Sequence, residues 1–130
     1  MNKIAVVHSG YYTEIIENLL DGINKEIDNS FEVTNYKVPG SWDIPYKIKT
    51  LAKDYNIFIA VGVICKGETD HYEYISNSVA IGLINLSINN SVYIANCVLN
   101  VQNLEQAKKR ADKNNNKGSE AATAINLLFT

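Results

Sequence analysis

The chain has 130 residues, of which 46% are hydrophobic and 20% are charged, values typical of one globular domain and not of a disordered chain. The net charge is -2 and the basic residues are scattered, apart from one cluster near position 110. This pattern argues against a nucleic-acid partner, which needs a clustered basic surface. No apolar run is long enough for a membrane span or a secretory signal, so we predict a cytoplasmic protein with no membrane partner.

The first part of the chain alternates short apolar runs with amphipathic ones. Residues 3–8 and 31–38 have the composition of strands, and the fully apolar run at 57–64 predicts a strand buried on both faces. Residues 13–28 predict a helix between the first two strands. The apolar residues at helical spacing in that segment are Ile15, Ile16, Leu19, Leu20, Ile23 and Ile27.

Two more helices are predicted around the third strand. One begins near Trp42, with Pro45 in its first turn, where a missing amide hydrogen is tolerated. The other follows Asp70, a plausible N-cap residue. Its expected apolar face consists of Tyr74, Ile75, Val79, Leu83 and Leu86.

The last third of the chain predicts one strand and two helices. Residues 91–99 read as the fourth strand, and residues 103–111 as a helix that ends in the polar loop DKNNNKG. A last helix is expected from about Ser119. Its apolar positions are Ala121, Ala124, Ile125 and Leu128.

Regular alternation of strands and helices predicts the fold class. Strands rich in valine and isoleucine indicate a parallel sheet with helices on both faces. Right-handed crossovers then favour a three-layer α/β/α sandwich with a flavodoxin-like, four-stranded sheet in the order 2-1-3-4. We expect residues 1–130 to form one domain.

Four predicted loops should meet at one edge of this sheet, because parallel strands open their loops on the same side. These loops comprise residues 8–12, 38–43, 65–71 and 96–100. Together they bring aromatic rings, the only tryptophan, both histidines and several acids to one edge. The sequence therefore predicts a small-molecule site there.

Several of these residues also have a structural explanation. Tyr11 and Tyr12 could pack over the sheet edge, and Asp43 could cap the second helix. Histidine side chains titrate near neutrality, so His71 suits acid-base work, although a lone histidine at a helix start is often structural. Spacing alone leaves both explanations open.

The sequence also contains groups that could hold an anion. Gly67 and Thr69 lie before a helix start, where backbone amides can bind phosphate. Arg110 and Lys117 could bind phosphate as well, or they could be solvated cations that complement a helix dipole. The two cysteines, Cys65 and Cys97, have neither CxxC nor zinc-ligand spacing, so we expect reduced thiols.

Four motifs in register resemble the 6,7-dimethyl-8-ribityllumazine synthase family of riboflavin biosynthesis. They are VPGSWDIP at 38–45, GETDHYEY at 67–74, LEQAKKRA at 104–111 and NKGSEAA at 116–122. The resemblance covers nearly the whole chain, from about Ile4 to Leu128. It implies a transferase that condenses 5-amino-6-(D-ribitylamino)uracil with 3,4-dihydroxy-2-butanone 4-phosphate, without a cofactor or a metal.

The resemblance also implies roles for individual residues. The proton-transferring residue is His71. Contacts to the pyrimidine and ribityl chain fall on Tyr11, Ser41, Trp42, Asp43, Val63, Ile64, Cys65 and Asn96. Contacts to phosphate fall on Gly67, Glu68, Thr69 and Arg110. Asn96, Arg110 and Lys117 are implied to come from the neighbouring subunit of a homo-oligomer.

The chain departs from the family pattern at several positions. Tyr12 stands where the usual RFN or RWN motif has asparagine, and Asp43 is one methylene shorter than the usual glutamate. Many members have a bulky apolar residue in place of Asn96 and an arginine in place of Lys66. We expect these departures to change substrate affinity and to leave the activity intact.

The resemblance implies further partners and leaves alternatives open. A pentamer is the first choice, because the chain starts almost at its first strand; a decamer and a sixty-subunit shell stay open. Riboflavin synthase is a further candidate partner. The alternative functions are an archaeal-type riboflavin synthase of the same fold and a non-catalytic module that binds flavin or lumazine.

Overall fold

The computed structural model describes residues 2–68 and 71–130, without the side chain of Glu68. Within these residues the long strands are β1 (Asn2–Ser9), β2 (Phe31–Val38), β3 (Ile57–Cys65) and β4 (Tyr93–Val101), and a short hairpin is formed by β5 (Ala111–Asp112) and β6 (Asn115–Asn116). The helices are α1 (Thr13–Glu26), α2 (Ile44–Leu51), α3 (Tyr72–Asn90), α4 (Leu104–Arg110) and α5 (Lys117–Phe129). A 3₁₀ turn at Ser41–Asp43 leads into α2, and another at Lys66–Glu68 follows β3.

The four long strands form one parallel sheet in the order β2-β1-β3-β4, which confirms the predicted fold class and strand order. β1 and β2 end together, with Ser9 opposite Val38. β1 pairs with β3 as far as His8 and Val61, so residues 62–65 of β3 extend beyond the last pair with β1. This overhang forms a ledge at the carboxyl edge of the sheet.

Helices cover both faces of the sheet. One core cluster packs α1 and α5 onto the sheet, and the other packs α2 and α3 onto the opposite face. All nine residues of β3 are buried, as its continuous apolar run predicted. The helical pattern predicted for residues 13–28 is confirmed too, with Ile15, Ile16, Leu19 and Ile23 buried in α1.

The start of α3 differs from its prediction. Val79 and Leu83 are buried, but Tyr74 is 66% exposed, so the prediction that Tyr74 lies on the core face of the helix is wrong. It stacks instead on another exposed ring, that of Trp42. The predicted cap, Asp70, lies outside the described residues, and His71 occupies the N-cap position.

The boundaries near the end of the chain also shift. Ser91 is the C-cap of α3 in a left-handed conformation, and the Val92 N–H donates to the Ser87 carbonyl at 3.2 Å. These two residues therefore end the helix and do not begin β4. The α5 helix starts at Lys117, two residues earlier than predicted, because the Asn116 side chain caps it.

Two further observations bear on the sequence predictions. None of the described helices is long and apolar enough to cross a membrane. Cys65 and Cys97 are free, buried thiols. Burial raises the pKa of the Cys97 thiol to about 12, so this thiol stays protonated at neutral pH and is a poor nucleophile.

Candidate active site

The loops after β1 and β2 meet at the carboxyl edge of the sheet. The Ser9 hydroxyl accepts a hydrogen bond from the Tyr11 N–H at 3.1 Å. The Tyr11 ring lies against Gly40, where a Cβ atom would stand 3.5 Å from Tyr11 Cε2. These contacts hold a ring that is 66% exposed beside the ledge of β3.

An open pocket of about 420 Å³ lies between these loops and the ledge; we call it the aromatic pocket. Six residues predicted to contact the pyrimidine or the ribityl chain line it: Tyr11, Ser41, Trp42, Val63, Ile64 and Cys65. Ser9, Tyr12, Gly40 and Ile75 complete the lining. Apolar and aromatic walls with a few polar groups suit a flat ligand that carries hydroxyls.

Ser41 provides a buried polar group on this wall. The residue is 8% exposed, and its hydroxyl has no hydrogen-bond partner among the described residues. Its Oγ lies over Gly62, and a Cβ at that position would collide with it. An unpaired buried hydroxyl costs about 1–3 kcal/mol, so rotation of this side chain toward a polar ligand group at the wall would remove that cost.

Asp43 closes the turn that carries Ser41 and Trp42. Its Oδ2 accepts a hydrogen bond from the Gly40 N–H at 3.0 Å, and its own N–H donates to the Gly40 carbonyl at 3.0 Å. The structural explanation raised from the sequence is therefore correct in part, because the carboxylate caps the turn before α2. A carboxylate has a second oxygen that can accept from a ligand hydroxyl, so the two roles are compatible.

Tyr12 combines backbone strain with a place in the pocket. Its φ of 56° and ψ of 53° lie in the left-handed region, which costs a bulky residue on the order of 1–3 kcal/mol. Its carbonyl accepts a hydrogen bond from the Ile16 N–H at 3.0 Å, and its ring packs against the core cluster of α1. Asparagine, the residue of the usual family motif, tolerates this conformation better.

Trp42 and Tyr74 form a stacked pair at the rim of the pocket. Their ring centroids are 5.8 Å apart and their planes differ by 18°. The pair joins the loop after β2 to the first turn of α3. The spacing of Tyr74 fits the apolar face of α3 and so predicts a core position, although an aromatic residue in the first turn of a helix can equally face the sheet edge.

His71 lies at the N-cap of α3 and is exposed. His71 follows β3 closely along the chain. The strand ends at Cys65, and the 3₁₀ turn that contains Gly67 begins directly after it. Lys66 Nζ lies 3.6 Å from Glu73 Oε1, an exposed pair that contributes little stability. Two of the predicted phosphate contacts, Thr69 and the Glu68 side chain, lie outside the described residues.

Asn96 does not lie where the sequence analysis expected it. It pairs with Ala60 in the middle of β4, so the prediction that residues 96–100 form a loop at the carboxyl edge is wrong. The strand starts later than predicted and continues to Val101. The Asn96 Oδ1 accepts a hydrogen bond from the Val98 N–H at 3.0 Å, and Asn96 does not line the aromatic pocket.

Arg110 and Lys117 flank the short hairpin, outside the lining of the aromatic pocket. We call residues 110–117 the cation hairpin. Arg110 ends α4, and its Nη1 donates to the Gln106 carbonyl at 3.3 Å. Lys117 begins α5, with its Nζ 3.1 Å from Glu120 Oε1. Within one chain, the aromatic pocket therefore lacks both cations.

Comparison with known proteins decides the family. The family model described as 6,7-dimethyl-8-ribityllumazine synthase matches residues 1–129. The chain belongs to the lumazine synthase family. A relative from Buchnera aphidicola subsp. Baizongia pistaciae with that name is 42% identical over 97% of this chain and 85% of its own length. Another from Zymomonas mobilis is 36% identical over 99% of this chain and 95% of its own.

The four lumazine synthase motifs occupy distinct places in the fold. Residues 38–45 form the turn into α2, and of residues 67–74 the described ones lie in the 3₁₀ turn after β3 (67–68) and at the start of α3 (71–74). Residues 104–111 and 116–122 form α4 and the start of α5 on either side of the hairpin. The described residues contain no group of three or more His, Cys, Asp or Glu side chains that could hold a metal ion.

Proposed function

We propose that this chain catalyses the lumazine synthase reaction, the condensation of 5-amino-6-(D-ribitylamino)uracil with 3,4-dihydroxy-2-butanone 4-phosphate in riboflavin biosynthesis. The observation that carries the proposal is the aromatic pocket, which is lined by six of the residues for which the resemblance implies ligand contacts, in a chain that matches the family over nearly its full length. The uracil amine attacks the ketone and one water leaves. Loss of phosphate and closure of the second ring, which releases another water, give the lumazine.

The aromatic pocket holds the pyrimidine in this proposal. Tyr11 stacks on the heterocycle, since its ring is exposed and held at the mouth by Ser9 and Gly40. Ser41, Trp42 and Asp43 contact the ribityl chain. The ledge residues Val63, Ile64 and Cys65 form the floor. Much of the rate acceleration then comes from holding two reactants in the correct orientation.

Proton transfer and phosphate binding are assigned to the segment after β3. His71 moves the protons that imine formation and phosphate loss require, because an imidazole both donates and accepts near neutral pH. Gly67, Glu68 and Thr69 hold the phosphate at the start of α3, where backbone amides favour an anion. The attacking amine belongs to the substrate, so the chain needs no nucleophile of its own.

The remaining assigned residues come from a neighbouring subunit of a homopentamer. Asn96, Arg110 and Lys117 lie outside the aromatic pocket of their own chain. The α3 helix supports assembly, because it is apolar on its exposed side as well as its buried one: Ile81, Ile84 and Ile88 are 58%, 57% and 68% exposed. Helices that are apolar all round are normally covered on both sides, and a second copy of this chain would cover this one.

The proposal has further parts that follow from the family. The whole chain, residues 1–130, acts as one domain in the cytoplasm and needs neither cofactor nor metal. Riboflavin synthase, which would use the product, is a candidate partner. A pentamer with Arg110 and Lys117 directed into the adjacent aromatic pocket completes each active site.

Lumazine formation from the two substrates tests the proposed function. Incubation of the purified chain with both should produce the lumazine absorbance and release phosphate in equal amounts, whereas omission of either substrate should produce neither. Absence of product from both substrates would contradict the proposal. Riboflavin formed from lumazine alone would favour the riboflavin synthase alternative.

A further inference from the structure

Asn116 is the buried polar centre of the cation hairpin. It is 9% exposed, and its amide group makes contacts with three segments. Its Nδ2 donates to the Asn18 carbonyl of α1 at 3.0 Å and to the Ala111 carbonyl at 3.4 Å. Its Oδ1 accepts from the Ser119 N–H of α5 at 3.1 Å. One side chain therefore links α1, the end of α4 and the start of α5.

Close packing leaves little room for this side chain to move. A Cβ on Gly22 of α1 would collide with Asn116 Oδ1, and a Cβ on Gly118 would collide with the Leu19 carbonyl oxygen. The two glycines let α1 and the start of α5 approach closely around the amide. The Ser119 hydroxyl adds a hydrogen bond to the Gly22 carbonyl at 3.2 Å.

Arg110 and Lys117 are each adjacent in sequence to a residue of the Asn116 hydrogen-bond network. Arg110 directly precedes Ala111, which pairs with Asn116 in the hairpin and also accepts from its side chain. Lys117 directly follows Asn116 and is the first residue of the helix that Asn116 caps. The backbone positions from which the two cations extend thus depend on one amide group.

We propose that Asn116 is a positioning residue that sets the separation and direction of Arg110 and Lys117 for phosphate binding. This inference rests on the proposed function, which places both cations in the active site of a neighbouring subunit; the resemblance implies that Arg110 contacts the phosphate there, and we place Lys117 beside it. Asn116 already uses its amide nitrogen and oxygen in hydrogen bonds within the protein. Its effect on the reaction passes through the two cations, and a small displacement of such groups is enough to weaken binding.

If Asn116 only stabilised the fold, its loss would affect stability and not phosphate binding. Asn126 is a matched control for this possibility. Asn126 joins the same two helices further along α5: its Oδ1 accepts from the Asp28 N–H at 2.9 Å, and its Nδ2 donates to the Glu26 carbonyl at 2.7 Å. Asn126 lies nine residues beyond Lys117, at about 1.5 Å of helix rise per residue. Loss of either asparagine loosens α1 against α5, but only one loss occurs beside the cations.

The experiment compares Asn116→Ser with Asn126→Ser. Serine keeps a capping oxygen for the Ser119 amide but cannot reach the Asn18 and Ala111 carbonyls. Both variants should lower the melting temperature. Only Asn116→Ser should raise the inhibition constant of inorganic phosphate and the KM of the butanone phosphate, by about tenfold, as loss of an orienting contact commonly does. The KM of the uracil should stay within about twofold in both.

The change Asn116→Ser in a background of Arg110→Ala and Lys117→Ala shows whether the effect passes through the cations. This triple variant should bind phosphate no more weakly than about the background without it, because residues that act through one another are not additive. Equal phosphate constants for Asn116→Ser and the parent would overturn the proposal, as would equal shifts in the Asn116 and Asn126 variants. If Asn116→Ser does not fold, Asn116→Thr replaces it, since threonine is also uncharged, keeps a capping oxygen and loses the amide group.

The same measurements separate this inference from the proposed function. Lumazine formation by the parent chain decides the proposed function. The phosphate inhibition constants of the variants decide the role of Asn116. An active parent with an unchanged phosphate constant in Asn116→Ser would refute only the inference, whereas a parent that forms no lumazine would refute the proposed function.

Discussion

The aromatic pocket and the cation hairpin differ in how the fold brings their residues together. The pocket gathers residues from the ends of β1, β2 and β3, segments that a parallel sheet must bring to one edge. The hairpin holds its two cations through one buried amide on the α1 and α5 side of the sheet. One half of the proposed site therefore lies within a single chain, and in the proposed pentamer the other half comes from a neighbour.

The contrast extends to the polar groups of each region. In the hairpin, the buried Asn116 amide uses both its oxygen and its nitrogen within the protein. In the pocket, the buried Ser41 hydroxyl has no partner among the described residues. A satisfied group is suited to fixing geometry, whereas an unsatisfied one is suited to receiving a ligand.

The largest expected effect is at His71, the N-cap residue of α3. His71→Ala should lower kcat by about 10² to 10⁴, the usual contribution of a positioned acid-base group, and should leave the dissociation constant of the uracil within about twofold. Stopped-flow measurement of lumazine formation and equilibrium titration give the two numbers. The control is His8→Gln, at the chain's other histidine, which lies on β1 and outside the pocket lining. A parent-like kcat in His71→Ala would remove it from the mechanism.

A smaller effect is expected at Tyr11. Tyr11→Ala should weaken binding of the uracil by about 5- to 150-fold, because stacking on an aromatic side chain contributes about 1–3 kcal/mol. Quenching of Trp42, the only tryptophan of the chain, measures the binding.

Tyr46 provides the control for Tyr11. It is 76% exposed on α2 and does not line the pocket. Tyr11→Ala and Tyr46→Ala remove similarly exposed rings, so both should leave the free energy of unfolding within about 0.5 kcal/mol. Equal uracil affinities in the two variants would mean that Tyr11 has no stacking role.

The smallest effect is expected at Ser41. It tests the contrast between buried polar groups that have a hydrogen-bond partner and those that lack one among the described residues. Ser41→Ala should raise the free energy of unfolding by about 1 kcal/mol, because it removes a buried hydroxyl that has no partner. The same change should weaken uracil binding by about fivefold, the loss of one hydrogen bond. Urea denaturation and ligand titration measure the two changes.

Ser9→Ala is the matched control and should change stability in the opposite direction. The Ser9 hydroxyl accepts from the Tyr11 N–H, so its loss leaves a backbone donor unpaired and should cost about 1 kcal/mol. If Ser41→Ala destabilised the fold as Ser9→Ala does, the Ser41 hydroxyl would already have a partner, such as an ordered water.

The sequence predicted where the aromatic pocket lies but not the contacts and backbone conformations around it. The apolar run at 57–64 and the alternation of elements were enough to predict the sheet order and the edge at which Tyr11, Ser41 and Trp42 meet. They did not reveal that Tyr74 stacks on Trp42 or that Tyr12 has a positive φ. Periodicity describes one helix or strand at a time, whereas these features depend on where two distant segments touch.

The errors near the end of the chain have the same origin. The sequence predicts a strand at 91–99 and a loop at 96–100, but Ser91 and Val92 end α3, and β4 runs from Tyr93 to Val101 with Asn96 inside it. The sequence gives no indication of the hairpin, because DKNNNKG is polar throughout. Hydrogen bonds from Asn116 to α1 and within the turn hold the hairpin in place. Composition carries no signal for a contact between residues that are 98 positions apart.

By itself the sequence determined the α/β class, the order of the strands and the family, because apolar periodicity and four spaced motifs are local properties of the chain. Only the tertiary structure decided which polar groups are buried and paired. The overhang of β3, the close approach of α1 to α5 and the turn at Gly40 set those pairings. Each depends on the register between segments that the chain brings together only when it folds.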